Sequence, residues 1–155
     1  MALQPRRGLY FEEFVVGDRA VSATRTITET DIVAFAGLSG DFNEIHTSAE
    51  YSKQSPAGQR VAHGLLGLSI ASGLAVQMGF MLNTVEFFRN IEWEFTAPIY
   101  IGDTVQLDVE IAEVKAFTRL NNGKVTFKLA LKKQDGSVTQ RGTWGILVKM
   151  QPKAA

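Results

Sequence analysis

The sequence predicts an α+β fold in which a curved antiparallel sheet wraps around one long central helix. Two observations carry that expectation. The C-terminal half alternates apolar and polar residues with period two, and its runs are separated by Asn122-Gly123 and Asp135-Gly136, pairs that favour hairpins. Residues 61–85 contain no Asp, Glu, Lys or Arg, and a helix apolar on every side is one that other elements enclose. A length of 155 residues makes a single domain, 1–155, with 1–9 and 151–155 expected as loose termini. With 45% hydrophobic and 21% charged residues, disorder is excluded as the main state.

The elements follow in order. Tyr10 to Val16 is apolar with paired glutamates, and Gly17-Asp18 turns the chain. Ala20 to Ile27 is rich in β-branched residues and reads as a strand. Thr28 then caps a helix, with Asp31 three residues on to reach back and Ile27 placed to staple against Ile32. Ile32, Phe35 and Ala36 form its apolar face, and Gly40 ends it. A polar loop over 41–46 leads to a helical turn near Ser48 to Lys53 and a loop over 55–58. The uncharged helix runs from Gly64 to about Met78. His63, Gln77, two serines and four glycines make it too polar and flexible for a membrane span, so no membrane is expected. Strands follow around Ile91-Trp93-Phe95, Val105 to Ile111, Val125 to Leu131 and Val138 to Val148.

Sixteen basic against sixteen acidic residues give zero net charge, which removes the electrostatic footprint of a nucleic-acid binder. No cysteine is present, so disulfides, thiol nucleophiles and thiolate metal sites are ruled out. The first eight residues have no apolar stretch of the secretory type, and a cytoplasmic location is expected.

Only two histidines are available for chemistry. His46 follows Asp41 by five residues in the loop after the first helix, and a carboxylate held near an imidazole can share a water and divide acid and base roles. The plain alternative is a pair of loop residues making local hydrogen bonds. His63-Gly64 opens the uncharged helix, where unpaired N–H groups and the positive dipole end can stabilise charge on a carbonyl oxygen. The bland reading there is a glycine relieving crowding. Two histidines alone make no metal site, and no phosphate-cradling glycine loop is present.

The runs Gly40-Asp41-Phe42-Asn43-Glu44-Ile45-His46, Arg60-Val61-Ala62-His63-Gly64-Leu65-Leu66 and Ser72-Gly73-Leu74 resemble the MaoC-like dehydratases, the (R)-specific enoyl-CoA hydratases of the hot-dog fold. The likeness extends from Tyr10 to Asp103. It implies that Asp41 and His46 are the catalytic pair, that Asn43 sets the loop, and that the Gly64 amide, with His63 before it, forms the oxyanion and substrate-binding site. Ser72 would support the pocket beneath the pair. The resemblance further implies an acyl-CoA or acyl-carrier-protein thioester as substrate and no cofactor. One departure is Glu44, where the family loop usually carries proline. A homodimer or a dimer-based oligomer is expected, partly from the resemblance and partly because an edge strand on a surface of zero net charge invites pairing. The rival functions are a thioesterase on the same substrates and a non-catalytic acyl-CoA-binding module.

Overall fold

The computed structural model describes residues 8–152. Its strands are β1 (Arg19–Val21), β2 (Arg25–Thr26), β3 (Val85–Phe95), β4 (Thr104–Phe117), β5 (Asn122–Lys133) and β6 (Val138–Lys149). Its α-helices are α1 (Glu29–Ser39), α2 (Glu44–Thr47), α3 (Ala49–Lys53) and α4 (Gly64–Gln77). The antiparallel sheet has the order β1-β4-β5-β6-β3, with β2 also paired to β4. The longest helix, α4, lies on one face of the sheet and packs against β4. The α+β architecture read from the alternation is the one observed.

Strand β4 keeps strict alternation from Val105 to Ile111, and Val125, Phe127, Leu129 and Leu131 do the same on β5. Each such aliphatic side chain contributes about 1.5–3 kcal/mol by leaving water. From the other side, Leu66, Ile70, Ala71, Leu74 and Ala75 of α4 close the core. The opposite side of α4 is open. Leu65, Ser69, Ser72 and Val76 are exposed, so the uncharged helix is enclosed on one side only within a single chain. Strand β3 is one edge of the sheet, and Phe87, Ile91 and Phe95 are exposed along it.

The strand expected over Ala20 to Ile27 is broken into β1 and β2. The cause is Ser22, whose hydroxyl, in place of a backbone carbonyl, accepts the Leu107 N–H at 2.9 Å and interrupts regular pairing. The Asn121-Asn122-Gly123 turn is also displaced. Asn121 alone takes the left-handed conformation, at φ 53°, while Asn122 and Gly123 already pair with Phe117 and Ala116. Gly123 serves instead to admit the Phe11 ring, which occupies the space a Cβ would need. Of the termini expected to be loose, residues 1–7 and 153–155 lie outside the described residues. Gly8 and Leu9 donate backbone hydrogen bonds to Leu82 and Phe80, and the Gln151 N–H bonds Glu12.

Helix α1 begins and ends as its sequence dictates. The Thr28 hydroxyl accepts the Asp31 N–H and the Asp31 carboxylate accepts the Thr28 N–H at 2.8 Å, while Gly40 closes the helix at φ 78°. Partial burial would raise the Asp31 pKa, but the Thr28 hydrogen bonds and the Arg25 guanidinium outweigh it and hold the carboxyl below its ordinary value. Its folded-state pKa is therefore below the unfolded one. The stabilisation is complete above the unfolded value, about 3.9, and is lost as pH falls through the lowered folded value. Thr28→Ala is expected to cost about 1 kcal/mol at neutral pH. Urea unfolding of both proteins at pH 7 and pH 3 checks this: the gap should narrow at the lower pH.

Candidate active site

Three short segments bring the candidate residues together. The left-handed turn at Gly40 releases Asp41 from α1, and the Asp41 carboxylate accepts the Asn43 N–H at 3.2 Å. Asn43 is the N-cap of α2, its side chain accepting the Ile45 N–H at 3.3 Å. Glu44 occupies the first position of that one-turn helix. Proline is tolerated there because the N–H has no helical partner, and an acidic side chain is favoured there by the dipole. The replacement of proline by Glu44 thus leaves the helix start intact. His46 lies within α2 rather than in an irregular loop, which was not legible from the sequence.

His46 is 7% exposed. Its Nδ1 lies 2.8 Å from the Val61 carbonyl oxygen, an acceptor only, so Nδ1 carries a hydrogen and, in the neutral ring, Nε2 offers a lone pair. Nε2 stands 3.9 Å from Asp41 Oδ2, and the Asp41 side chain is 52% exposed. Two acceptors at that separation make no direct hydrogen bond, but one water can donate a hydrogen to each.

His63 supports the pair from behind. It is 2% exposed, and its Nε2–H donates to the Asp41 backbone carbonyl at 2.9 Å. Its ring stacks on His46 with centroids 3.8 Å apart and planes 26° apart, and Phe35 packs on it at 5.0 Å. One side chain therefore positions both members of the pair. Asp41, His46 and His63 also bring three ligand-type atoms within 4.8 Å of one another. The lone pairs of two stacked rings lie in near-parallel planes and do not converge on one point, so the arrangement suits proton handling better than a tetrahedral cation site.

Gly64 is the first residue of α4, where an N–H has no intrahelical partner and faces the positive end of the dipole. His46, Val61, Gly64, Phe95 and Gln140 line a common cavity of about 410 Å³. A Cβ at Gly64 would meet the Phe95 ring at 2.9 Å, so glycine is required for this approach. Ser72 is exposed on the outer side of α4 within the single chain, eight residues or about 12 Å along the helix from Gly64. Within that chain, His63 and the Val61 carbonyl are what support the pair.

The sequence model of the MaoC-like domain family matches residues 14–133. The chain belongs to this family. A 3-hydroxybutyryl-CoA dehydratase of Methylorubrum extorquens is 36% identical over 117 residues, 70% of this chain and 67% of that protein. An (R)-specific enoyl-CoA hydratase of Rhodospirillum rubrum is 37% identical over 103 residues, 66% of this chain and 69% of that protein. Among solved structures, a monoamine oxidase regulatory protein from Archaeoglobus fulgidus is similar at TM-score 0.89 and 34% identity, covering 97% of this chain and 100% of that one. A Mycobacterium tuberculosis protein with a double hot-dog fold gives a TM-score of 0.77 at 14% identity, over 96% of this chain and 46% of that one, a likeness of fold alone. The MaoC-like match spans Asp41, His46 and Gly64 and stops before β6. Among the described residues, no helix of this MaoC-like domain is long and apolar enough to cross a membrane.

The sequence reading missed Gln140 and Phe95 as cavity residues. A signal for Gln140 existed: it shares the inward parity of Trp144, Ile146 and Val148, and a buried amide on a core face needs partners.

Proposed function

We propose that this MaoC-like domain catalyses the reversible hydration of trans-2-enoyl-CoA thioesters to (R)-3-hydroxyacyl-CoA. The observation that carries the reading is the pair of acceptors, His46 Nε2 and Asp41 Oδ2, 3.9 Å apart beside the start of α4. Two relatives named as a dehydratase and an (R)-specific hydratase of CoA thioesters support it. A water donating to both acceptors turns an oxygen lone pair toward C3 of the substrate. As the C3–O bond forms, the C2=C3 electrons move toward the thioester and its oxygen gains charge, which the Gly64 N–H accommodates. The pair takes the proton from water and returns it to C2 on the same face, so one water is added and no electrons are gained or lost. Dehydration is the same path reversed.

The decisive experiment follows the enoyl absorbance of crotonyl-CoA and the release of free thiol. Loss of absorbance without thiol is the expected result. Thiol release would make the protein a thioesterase. No change in either would favour a binding module, a reading kept in view by the regulatory name of the Archaeoglobus relative.

A homodimer belongs to the same proposal. The open side of α4 and the apolar edge strand β3 leave Leu65, Val76, Phe87, Ile91 and Phe95 in water in a single chain. Pairing of two copies would remove that surface. Light scattering at micromolar concentration should give twice the 17.0 kDa chain mass; a monomer would overturn this.

A further inference from the structure

Gln140 makes two hydrogen bonds that the reaction as described leaves unused. It is 2% exposed, on β6, and lines the same cavity as His46 and Gly64. The Trp93 indole N–H donates to Gln140 Oε1 at 3.0 Å, and Gln140 Nε2 donates to the Gly64 carbonyl at 3.0 Å. The amide's orientation is unambiguous. An indole N–H only donates and a backbone carbonyl only accepts, so the oxygen must face Trp93 and the nitrogen Gly64. The register between β5 and β6 shifts between Leu131 and Lys132, where Leu131 pairs with Gln140 and Lys132 with Val138, leaving Thr139 as the extra residue. Bulges of this kind re-aim neighbouring side chains. The helix is shaped to receive the amide: a Cβ at Gly67 would collide with the Gln140 side chain.

Resting on the hydratase reading above, we infer that Gln140 is a positioning residue for the oxyanion site. Trp93 donates to Gln140 and Gln140 to the Gly64 carbonyl, a one-way hydrogen-bond chain that pins the first turn of α4 to the sheet. The Phe95 ring occupies the space a Cβ on Gly64 would need. With its carbonyl hydrogen-bonded and an aromatic ring against its Cα, Gly64 and its N–H are held in place beside the cavity before substrate arrives. Such pre-alignment matters because a displacement of about 1 Å at a reacting centre costs about a hundredfold in rate. Buried hydrogen bonds in series also polarise one another, so loss of the Trp93 donor weakens the bond to Gly64 as well. Trp93 is not among the residues lining the cavity and reaches it by its hydrogen bond to Gln140.

The test compares the intact protein with Gln140→Met and Trp93→Phe. Gln140→Met is close in volume and lacks both hydrogen bonds; Trp93→Phe keeps an aromatic ring and lacks the donor. Four quantities are measured: the thermal unfolding midpoint, kcat and KM for crotonyl-CoA, and the carbonyl stretch of bound butyryl-CoA, labelled with carbon-13 at the thioester carbon. The wild-type protein should lower that stretch relative to butyryl-CoA in buffer. Gln140→Met should return it toward the buffer value and lower kcat by about tenfold to a hundredfold, with KM little changed. Trp93→Phe should move both readouts in the same direction by less. A structural role alone would change the unfolding midpoint and leave the carbonyl band of the folded fraction untouched. If wild type hydrates crotonyl-CoA and folded Trp93→Phe and Gln140→Met retain its kcat and band, the relay is overturned and the hydratase reading stands. Should wild type fail to hydrate the substrate, the hydratase reading falls first, and the role of Gln140 with it. If Gln140→Met does not fold, Trp93→Phe decides alone.

Discussion

Asp41→Asn and His46→Gln are each expected to lower kcat by about 10²–10⁴, the range for losing a positioned acid or base. Asparagine keeps the size and one acceptor but turns an NH₂ toward the shared water or the Asn43 N–H. Glutamine at 46 retains an N–H for the Val61 carbonyl but cannot exchange a proton near neutral pH. Both groups act on one water, so the double variant should be little slower than either single variant. Multiplying losses in crotonyl-CoA hydration would show independent roles, and a near-normal rate in one variant would return that residue to a structural part. The two variants should differ in stability. Asp41 is half in solvent, so Asp41→Asn should melt near wild type. His46 is buried, hydrogen-bonded to Val61 and stacked on His63, so His46→Gln should lose about 1 kcal/mol or more in urea unfolding.

Gly64→Pro should lower kcat by about 10²–10³ by deleting the N–H assigned to the thioester oxygen. Proline is acceptable to the first position of a helix. It also adds a Cβ where the Phe95 ring lies, and that contact alone could disturb the cavity. Gly64→Ala is therefore the necessary companion, since it makes the same contact and keeps the N–H. The expected order of kcat is wild type, then alanine, then proline, with the alanine-to-proline step reporting the hydrogen bond. Equal rates for folded alanine and proline variants would show that the thioester oxygen is held by another donor.

Much of the fold was legible because it is local. The capping box at Thr28 and Asp31, the glycine stop at Gly40 and the alternation of β4 and β5 each depend on neighbours a few residues away. Where a distant partner competed, the reading shifted. Ser22 replaced a backbone acceptor for Leu107, and Phe11 fills the space a Cβ on Gly123 would need.

The site divides in the same way. Which residues could handle protons was determined by the sequence itself, because only two histidines exist and one follows Asp41 at short range. The motif spacing likewise pointed to the MaoC-like family that matches residues 14–133. Tertiary structure alone decided how those residues are held: the Val61 carbonyl sets the His46 tautomer, His63 stacks beneath it, and Gln140 arrives from the last strand to grip the first turn of α4. It also left Ser72 on the outer side of the helix. The physical reason is range. Capping and alternation act over a few residues of chain, whereas a tautomer or a carbonyl's orientation depends on partners 15 and 76 residues away that only the folded sheet and helix bring within 3 Å.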